Sequence, residues 1–252
     1  MSLFAEPRHV DDPNDCYFYH TMDLSGLGLQ KGHWDLRGRF ADYVGGVEVK
    51  GKSVLDIGTA TGFLSFEAER LGAARVVSFD MSDVRQQTFV PFRGRPYRED
   101  YDAWISDYSG TIDRWKNAYW LCHRLLNSRA EVVYGDIYKL PPQLGTFDVV
   151  IVGSVLEHLV DPMSALISIE RLTGKRLVLV TPLIQTEEKI ARFEPSRDRP
   201  QDDFTWWTYS IGLYREILAI LGFKIERISA AEYYHHYEDR MEARSTLVAL
   251  RE

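Results

Sequence analysis

Residues Ser53 to Phe63 read S-V-L-D-I-G-T-A-T-G-F, and this stretch decides the fold. Val54 to Ile57 form an apolar run interrupted by Asp56, and the run stops at Gly58. A second glycine, Gly62, opens a segment in which Phe63, Leu64, Phe66 and Leu71 recur at helical spacing, with Glu67, Glu69 and Arg70 between them. Strand, glycine turn and helix together predict an open α/β sheet, in which ligands sit beyond the carboxyl ends of the strands. The spacing narrows the ligand. A dinucleotide fingerprint needs G-x-G-x-x-G, but the middle position here is Ala60 and the last is Phe63. Small residues in such a turn let the main chain approach a ligand closely, and free N–H groups at the helix start can hold a carboxylate or polar edge. Asp56, Gly58, Thr59, Ala60 and Gly62 are therefore candidate binding residues.

Further strands follow on either side of long connections. Val76 to Asp80 reads V-V-S-F-D and ends in an acid, with Met81 beside it, about twenty residues past the glycine turn. That is the interval at which a strand-end carboxylate meets ribose hydroxyls. Glu131 to Tyr134 is a third strand, followed by Gly135-Asp136-Ile137. Phe147 to Val152 is a fourth and delivers Gly153 to His158 to the mouth of the pocket. Arg176 to Thr181, Phe223 to Ile228 and Thr246 to Arg251 complete seven strands. Helices are expected over Ile112 to Leu126, Met163 to Leu172 (with Pro162 at its start) and Ser210 to Leu221, the last closed by Gly222.

Three segments stand outside this repeat. Residues 1 to 16 are mostly polar and read as a loose lead-in. An aromatic cluster, Tyr17-Phe18-Tyr19-His20 and then Gly32-His33-Trp34-Asp35-Leu36-Arg37, could fold back as a lid or pack a small N-terminal cap over 1–49. Ser82 to Gly110 is long for a connection, and long connections tend to be functional. It mixes Arg85, Arg93, Arg95 and Arg98 with Phe89, Phe92, Tyr97, Tyr101, Trp104 and Tyr108, a composition suited to a planar or anionic substrate or to a dimer contact. Pro182 to Asp203 is a second long connection and leads to Phe204-Thr205-Trp206-Trp207-Thr208-Tyr209.

Composition excludes several classes. With 252 residues, the chain can bury a full core. A net charge of −7 argues against a nucleic-acid backbone as partner. The two cysteines, Cys16 and Cys122, are too few and too far apart for a disulfide framework, and they predict a reduced, cytoplasmic setting. No apolar run is long enough to predict a membrane span or a signal peptide. His235-His236 lies in what reads as a solvated hairpin. Neighbouring side chains on a strand diverge, so no metal site is expected.

Taken together, V-L-D-I-G-T-A-T-G, the strand-end Asp80, G-D-I at 135–137 and V-L-E-H-L-V-D-P at 155–162 resemble the class I S-adenosylmethionine (SAM) dependent methyltransferases over about residues 50–252. Ala60 departs from the family's middle glycine. W-D-L-R at 34–37, the insert after the second strand and W-W-T-Y-S near the end are also similar to a subgroup containing the tRNA uridine-5-oxyacetate carboxymethyl-transferring enzyme. The resemblance implies a Rossmann-like, seven-stranded, mostly parallel sheet with helices on both faces and a reversed last strand. It implies SAM as cofactor, with Asp80 on the ribose, Asp136 and Ile137 on the adenine, and Ser154 at the pocket mouth. His158, and second His20 from the lid, are the candidate bases. Tyr19, Trp34, Arg37, Arg93, Trp206, Trp207 and Tyr209 are the candidate substrate contacts, with 82–128 facing the substrate. The activity implied is methyl transfer to an O or N atom of a small-molecule acceptor. A tRNA-modifying enzyme and a non-catalytic SAM-binding protein are the alternatives, and the glycine spacing disfavours an NAD-dependent oxidoreductase.

Overall fold

The structure is a computed structural model and describes residues 2–252. In chain order its strands and α-helices begin with β1 (Met22–Leu24), β2 (Gly28–Gln30), β3 (Trp34–Asp35) and α1 (Phe40–Tyr43). The glycine motif joins β4 (Ser53–Ile57) to α2 (Phe63–Arg70), followed by β5 (Arg75–Met81), α3 (Pro96–Glu99), α4 (Tyr101–Leu125) and β6 (Glu131–Gly135). Then come β7 (Phe147–Gly153), α5 (Pro162–Glu170), β8 (Thr173–Thr181), β9 (Leu183–Ile184) and β10 (Ala191–Phe193). The chain closes with β11 (Trp207–Ser210), α6 (Ile211–Ile220), β12 (Phe223–His235) and β13 (Arg240–Arg251).

The main sheet runs β3-β12-β13-β8-β7-β4-β5-β6. The five strands from β8 to β6 pair in parallel, and β13 is antiparallel to both β8 and β12. Alternation along each strand sends Val54, Val76, Val149, Ile151 and Val178 to one face, where α2 and α4 cover them. Leu55, Ile57, Val77, Val150 and Leu179 go to the other face, beneath α5 and α6. Because both faces are covered, the parallel strands are apolar almost throughout.

Several expectations need correction. An eighth strand, the two-residue β3, joins the seven at the β12 edge. The polar lead-in is tied down: Ala5 N–H donates to Val132 C=O, and Val10 and Cys16 are buried. The long connection after β5 is largely helical, because α4 begins at Tyr101, capped by Asp100, whose side chain accepts from Ala103 N–H. The Tyr233–His236 hairpin is not a solvated turn: Tyr233 and His235 lie within β12, paired with Glu242 and Arg240 of β13. The second long connection contains β9 and β10, which with β11 form a small separate sheet. No helix among the described residues is long and apolar enough to cross a membrane.

Candidate active site

The turn after β4 is built on backbone geometry. Gly58 and Gly62 have φ of 77° and 86°, where side chains are disfavoured, and Ala60 between them adopts φ 48°. A Cβ at Gly58 would lie 2.4 Å from Val155 Cγ2, so the turn also lies tight against the segment after β7. Asp56 sits beneath the turn, fully buried. Its Oδ2 accepts from Thr59 Oγ1 at 2.9 Å and from Ser65 Oγ at 2.7 Å, while Oδ1 has no partner. Burial outweighs those bonds and pushes its carboxyl up to about 6. Thr59 is buried in the same network.

Asp80, at the end of β5, clamps the turn from the side. Its Oδ2 accepts from Ala60 N–H and its Oδ1 from Met81 N–H, both at 2.7 Å. Burial raises this carboxyl, against the pull of those two bonds. At the end of β7, Ser154 has φ 51°, a left-handed conformation that costs a non-glycine residue about 1–2 kcal/mol. Its N–H donates to Val180 C=O at 2.8 Å, which holds the chain there as it leaves the sheet. Strain of this kind concentrates where a fold shapes a site.

These strand ends form one wall of a cavity of about 700 Å3. Gly58, Ala60, Asp80, Met81, Gly135, Ile137, Gly153 and Ser154 line this wall. The opposite walls come from four distant segments, the first three largely aromatic and the last mixing aromatic with charged side chains: Tyr17 to Trp34, Phe89 to Trp115, Phe204 with Thr205, and Tyr233 to Arg244. Tyr17 stacks on Trp115 at 6.0 Å, and Tyr19 stacks on His33 at 5.3 Å. Tyr17 Oη and His33 Nε2 are 2.5 Å apart. Burial lowers His33 to about 4, aided by His235, and raises Tyr17 to about 12, so both stay neutral near pH 7.

Among the residues singled out from sequence, Tyr19, His20, Trp34, Gly58, Ala60, Asp80, Met81, Ile137, Ser154 and His158 line this one cavity. Asp56, Thr59 and Gly62 support the turn from behind. Asp136 stands between two lining residues, with Oδ1 accepting from Tyr138 N–H. Arg37 pairs with Asp35, and Arg93 is exposed away from the cavity wall. Trp206 and Trp207 act as ties instead, their indole N–H groups donating to Thr88 and Val160 carbonyls. Tyr209 packs against Tyr214. Tyr17 and His33 come from the aromatic cluster expected as a lid, and Trp115 from the segment 82–128 expected to face the substrate; the lining residues not anticipated are Tyr43, Tyr233, Glu242 and Arg244, and the signal for the last three was the two-residue alternation along β12 and β13.

His158 Nδ1 lies 2.8 Å from Phe204 C=O. A carbonyl only accepts, so Nδ1 carries the proton and the Nε2 lone pair is left available. His20 is buried, with Nδ1 3.3 Å from Thr61 Oγ1, and burial drives it down to about 3. Among the described residues, no three His, Cys, Asp or Glu side chains gather as a metal site would require.

A parallel sheet with a reversed β13, a glycine turn after β4 and an acid ending β5 define a class I SAM-dependent methyltransferase. The methyltransferase-domain family model matches residues 35–227, and the chain belongs to that family. Magnesium protoporphyrin IX methyltransferase from Synechocystis PCC 6803, solved with bound SAM, is similar in fold, with TM-score 0.53 and 20% identity over 84% of this chain and 76% of that one. A SAM-dependent methyltransferase from Aquifex aeolicus has TM-score 0.50 and 16% identity over 87% and 91%. In sequence, the ribosomal protein L11 methyltransferase of Desulforamulus reducens is 44% identical over 85 residues. That match spans 33% of this chain and only 27% of the relative's length.

Proposed function

We propose that this protein transfers a methyl group from SAM to an O or N atom of a small-molecule acceptor. The observation that carries the reading is the continuity of the cavity. One wall is made of strand ends and the glycine turn, the others of aromatic rings, and a single space joins them. The strand-end wall has the acceptors and apolar faces that an adenosyl group asks for. Asp80 presents a carboxylate to ribose hydroxyls, Met81 and Ile137 present apolar faces to the adenine, and Asp136 Oδ2 faces no internal donor that would compete with its amino group. Gly58 and Ala60 bring main chain to the ligand, and Ser154 marks the boundary with the acceptor.

When bound, SAM supplies a methyl group on an electrophilic sulfonium. The residues of the chain then align and exclude water, which is where most of the acceleration of such a displacement arises. A nucleophile that carries a proton needs a base. His158 fits that role, since its free Nε2 belongs to a side chain on the cavity wall. The second candidate, His20, is a poor base, because its lone pair binds protons only near pH 3. Residues 1–49 serve as the cap, and the segment 82–128, through Phe89, Tyr108 and Trp115, faces the acceptor.

Calorimetry with SAM and S-adenosylhomocysteine, followed by transfer of a labelled methyl group to a small-molecule library, tests the proposal. Association of both nucleosides and label in a small product is the expected result. Association without transfer to any acceptor would leave a binding protein, and transfer to tRNA alone would move the acceptor to a nucleic acid.

A further inference from the structure

Five acidic residues line the cavity, Asp80, Glu157, Asp202, Glu238 and Glu242, against two basic ones, Arg240 and Arg244. The arginines of the insert, Arg85, Arg93, Arg95 and Arg98, are not on its walls. Four of the five acids are answered from within the chain. Asp80 accepts from Ala60 N–H and Met81 N–H, both at 2.7 Å. Asp202 pairs with Arg199 at 3.3 Å, and Glu242 pairs with Arg240 at 2.9 Å and Arg244 at 3.1 Å. Glu238 lies 4.0 Å from Arg240 and is exposed to water as well.

Glu157 is the exception. It is 4% exposed, and among the described residues no Lys, Arg or His nitrogen comes within 4.0 Å of its carboxylate. Its Oε2 accepts from Thr181 Oγ1 at 3.3 Å, and the single proton of that hydroxyl is shared with Pro182 C=O at 3.4 Å. Oε1 has no donor from the described residues. It is not sealed off either, because the one carboxylate oxygen that is both sealed and without a partner is Asp56 Oδ1. Glu157 Oε1 therefore opens onto the cavity that this residue lines. Burying a carboxylate without a cation is costly unless something else supplies the partner. Water serves that oxygen while the cavity is free, but a ligand that fills the space displaces the water and must bring a donor in its place.

We propose that Glu157 recognises the acceptor, and that the acceptor carries a protonated amine, separate from the atom that is methylated, whose N–H meets Glu157 Oε1. Charge favours a cation over a neutral hydroxyl. Five lining acids stand against two arginines, and SAM, with one net positive charge, offsets only part of that excess. Burial acts in the same direction, since an ammonium gives the carboxylate both the hydrogen bond and the counter-charge that Thr181 does not supply. Glu157 and His158 are consecutive and both line the cavity, so the anchor lies beside the candidate base. This deepens the methyltransferase reading and rests on it.

The test uses the full chain saturated with S-adenosylhomocysteine and matched probe pairs: 4-(aminomethyl)phenol with 4-methylphenol, tyramine with 4-ethylphenol, and tryptamine with 3-ethylindole. Each pair shares a ring and differs in the amine. In at least one pair the amine should bind about tenfold tighter by calorimetry at pH 7, as expected for a charge-assisted hydrogen bond in a desolvated site. Glu157→Gln keeps the shape and removes the charge. It should reduce that preference to about twofold or less while keeping the melting temperature and the affinity for S-adenosylhomocysteine. Equal or undetectable binding within every pair of the parent chain would overturn the inference, as would a preference that survives Glu157→Gln. So would a variant that loses affinity for S-adenosylhomocysteine but not for 5′-methylthioadenosine, because the carboxylate would then serve the ammonium of the cofactor. Should S-adenosylhomocysteine fail to bind the parent chain, the methyltransferase reading falls first and this inference goes with it.

Discussion

Asp56 offers a measurement of how the glycine turn is held. Its carboxyl, ordinarily near 3.8, is pushed up to about 6 because burial penalises the charged form more than Thr59 and Ser65 stabilise it. A folded-state value above the unfolded one means that the folded protein binds this proton more tightly. Stability linked to Asp56 is then fully present below pH 3.8 and is lost as pH rises through about 6. At about 1.4 kcal/mol for each pH unit across the gap, the loss amounts to about 3 kcal/mol. Asp56→Asn removes the titration and keeps one oxygen for the two hydroxyls. Its added amide protons sit where Oδ1 has no partner, which costs about 1–3 kcal/mol at every pH.

Urea unfolding followed at half-unit steps from pH 4 to pH 8 reads this directly. The difference in unfolding free energy between Asp56→Asn and the parent should be unfavourable at pH 4. It should shift in favour of the variant by about 3 kcal/mol by pH 8. Taking the difference cancels other carboxylates, including Asp148, which Lys175 holds at about 2 and whose linkage has the opposite sign. A difference that stays flat across this range would show that Asp56 is ionised in the fold at ordinary carboxylate pH, and the burial argument for the turn would fail.

Other outcomes bear on the site itself. Asp80→Asn can satisfy only one of the two N–H groups now bonded to the carboxylate and cannot accept from both ribose hydroxyls; SAM affinity by calorimetry should fall about 10- to 100-fold. His158→Ala should leave SAM affinity intact and lower turnover by about 10²- to 10⁴-fold, and an unchanged rate removes it as the base. Gly58→Ala places a Cβ 2.4 Å from Val155 Cγ2 at φ 77°, so it should cost at least about 1–2 kcal/mol in unfolding experiments and weaken SAM binding.

The parallel strands and the cofactor wall were legible because local sequence determines them. Apolar runs ending in Gly58, Asp80, Gly135 and Gly153 announce buried strands whose ends line the cavity. The opposite walls were legible only in part: Tyr19, Trp34 and the segment 82–128 were expected there, but the helical form of the insert and the β12–β13 hairpin were not. The first three turns of α4 were read as loop because Asp100, Asp102, Ser109 and Gly110 mask an aromatic stripe in which Trp104 and Tyr108 stack at 5.1 Å. The Asp100 cap was the missed signal. Around the β12–β13 turn, charge concealed the strands, since Arg240, Glu242 and Arg244 form an ion-paired ladder in place of an apolar face. Trp206 and Trp207 were expected at the substrate from the family resemblance of the W-W-T-Y-S segment. Their indole N–H groups instead tie their segment to Thr88 and Val160, which puts Phe204 and Thr205 on the cavity.

This division follows from how each half is assembled. The cofactor wall comes from strand ends that the sheet sets side by side, so its geometry is inherited from β-pairing and changes little without loss of the fold. The opposite walls come from a lid, an insert, a loop and a hairpin, joined by side-chain and main-chain contacts such as Val90 N–H to Asp203 C=O, Arg95 to Asp203 and Tyr17 N–H to Arg114 C=O. The insert and the loop lie outside the main sheet, whereas the lid and the hairpin join its edge through β3, β12 and β13. Thr61, inside the glycine turn, is one side chain that couples the halves: it accepts from His20 N–H at 3.0 Å and faces its ring nitrogen. The glycine turn and the N-terminal segment are thus hydrogen-bonded to one another within the fold.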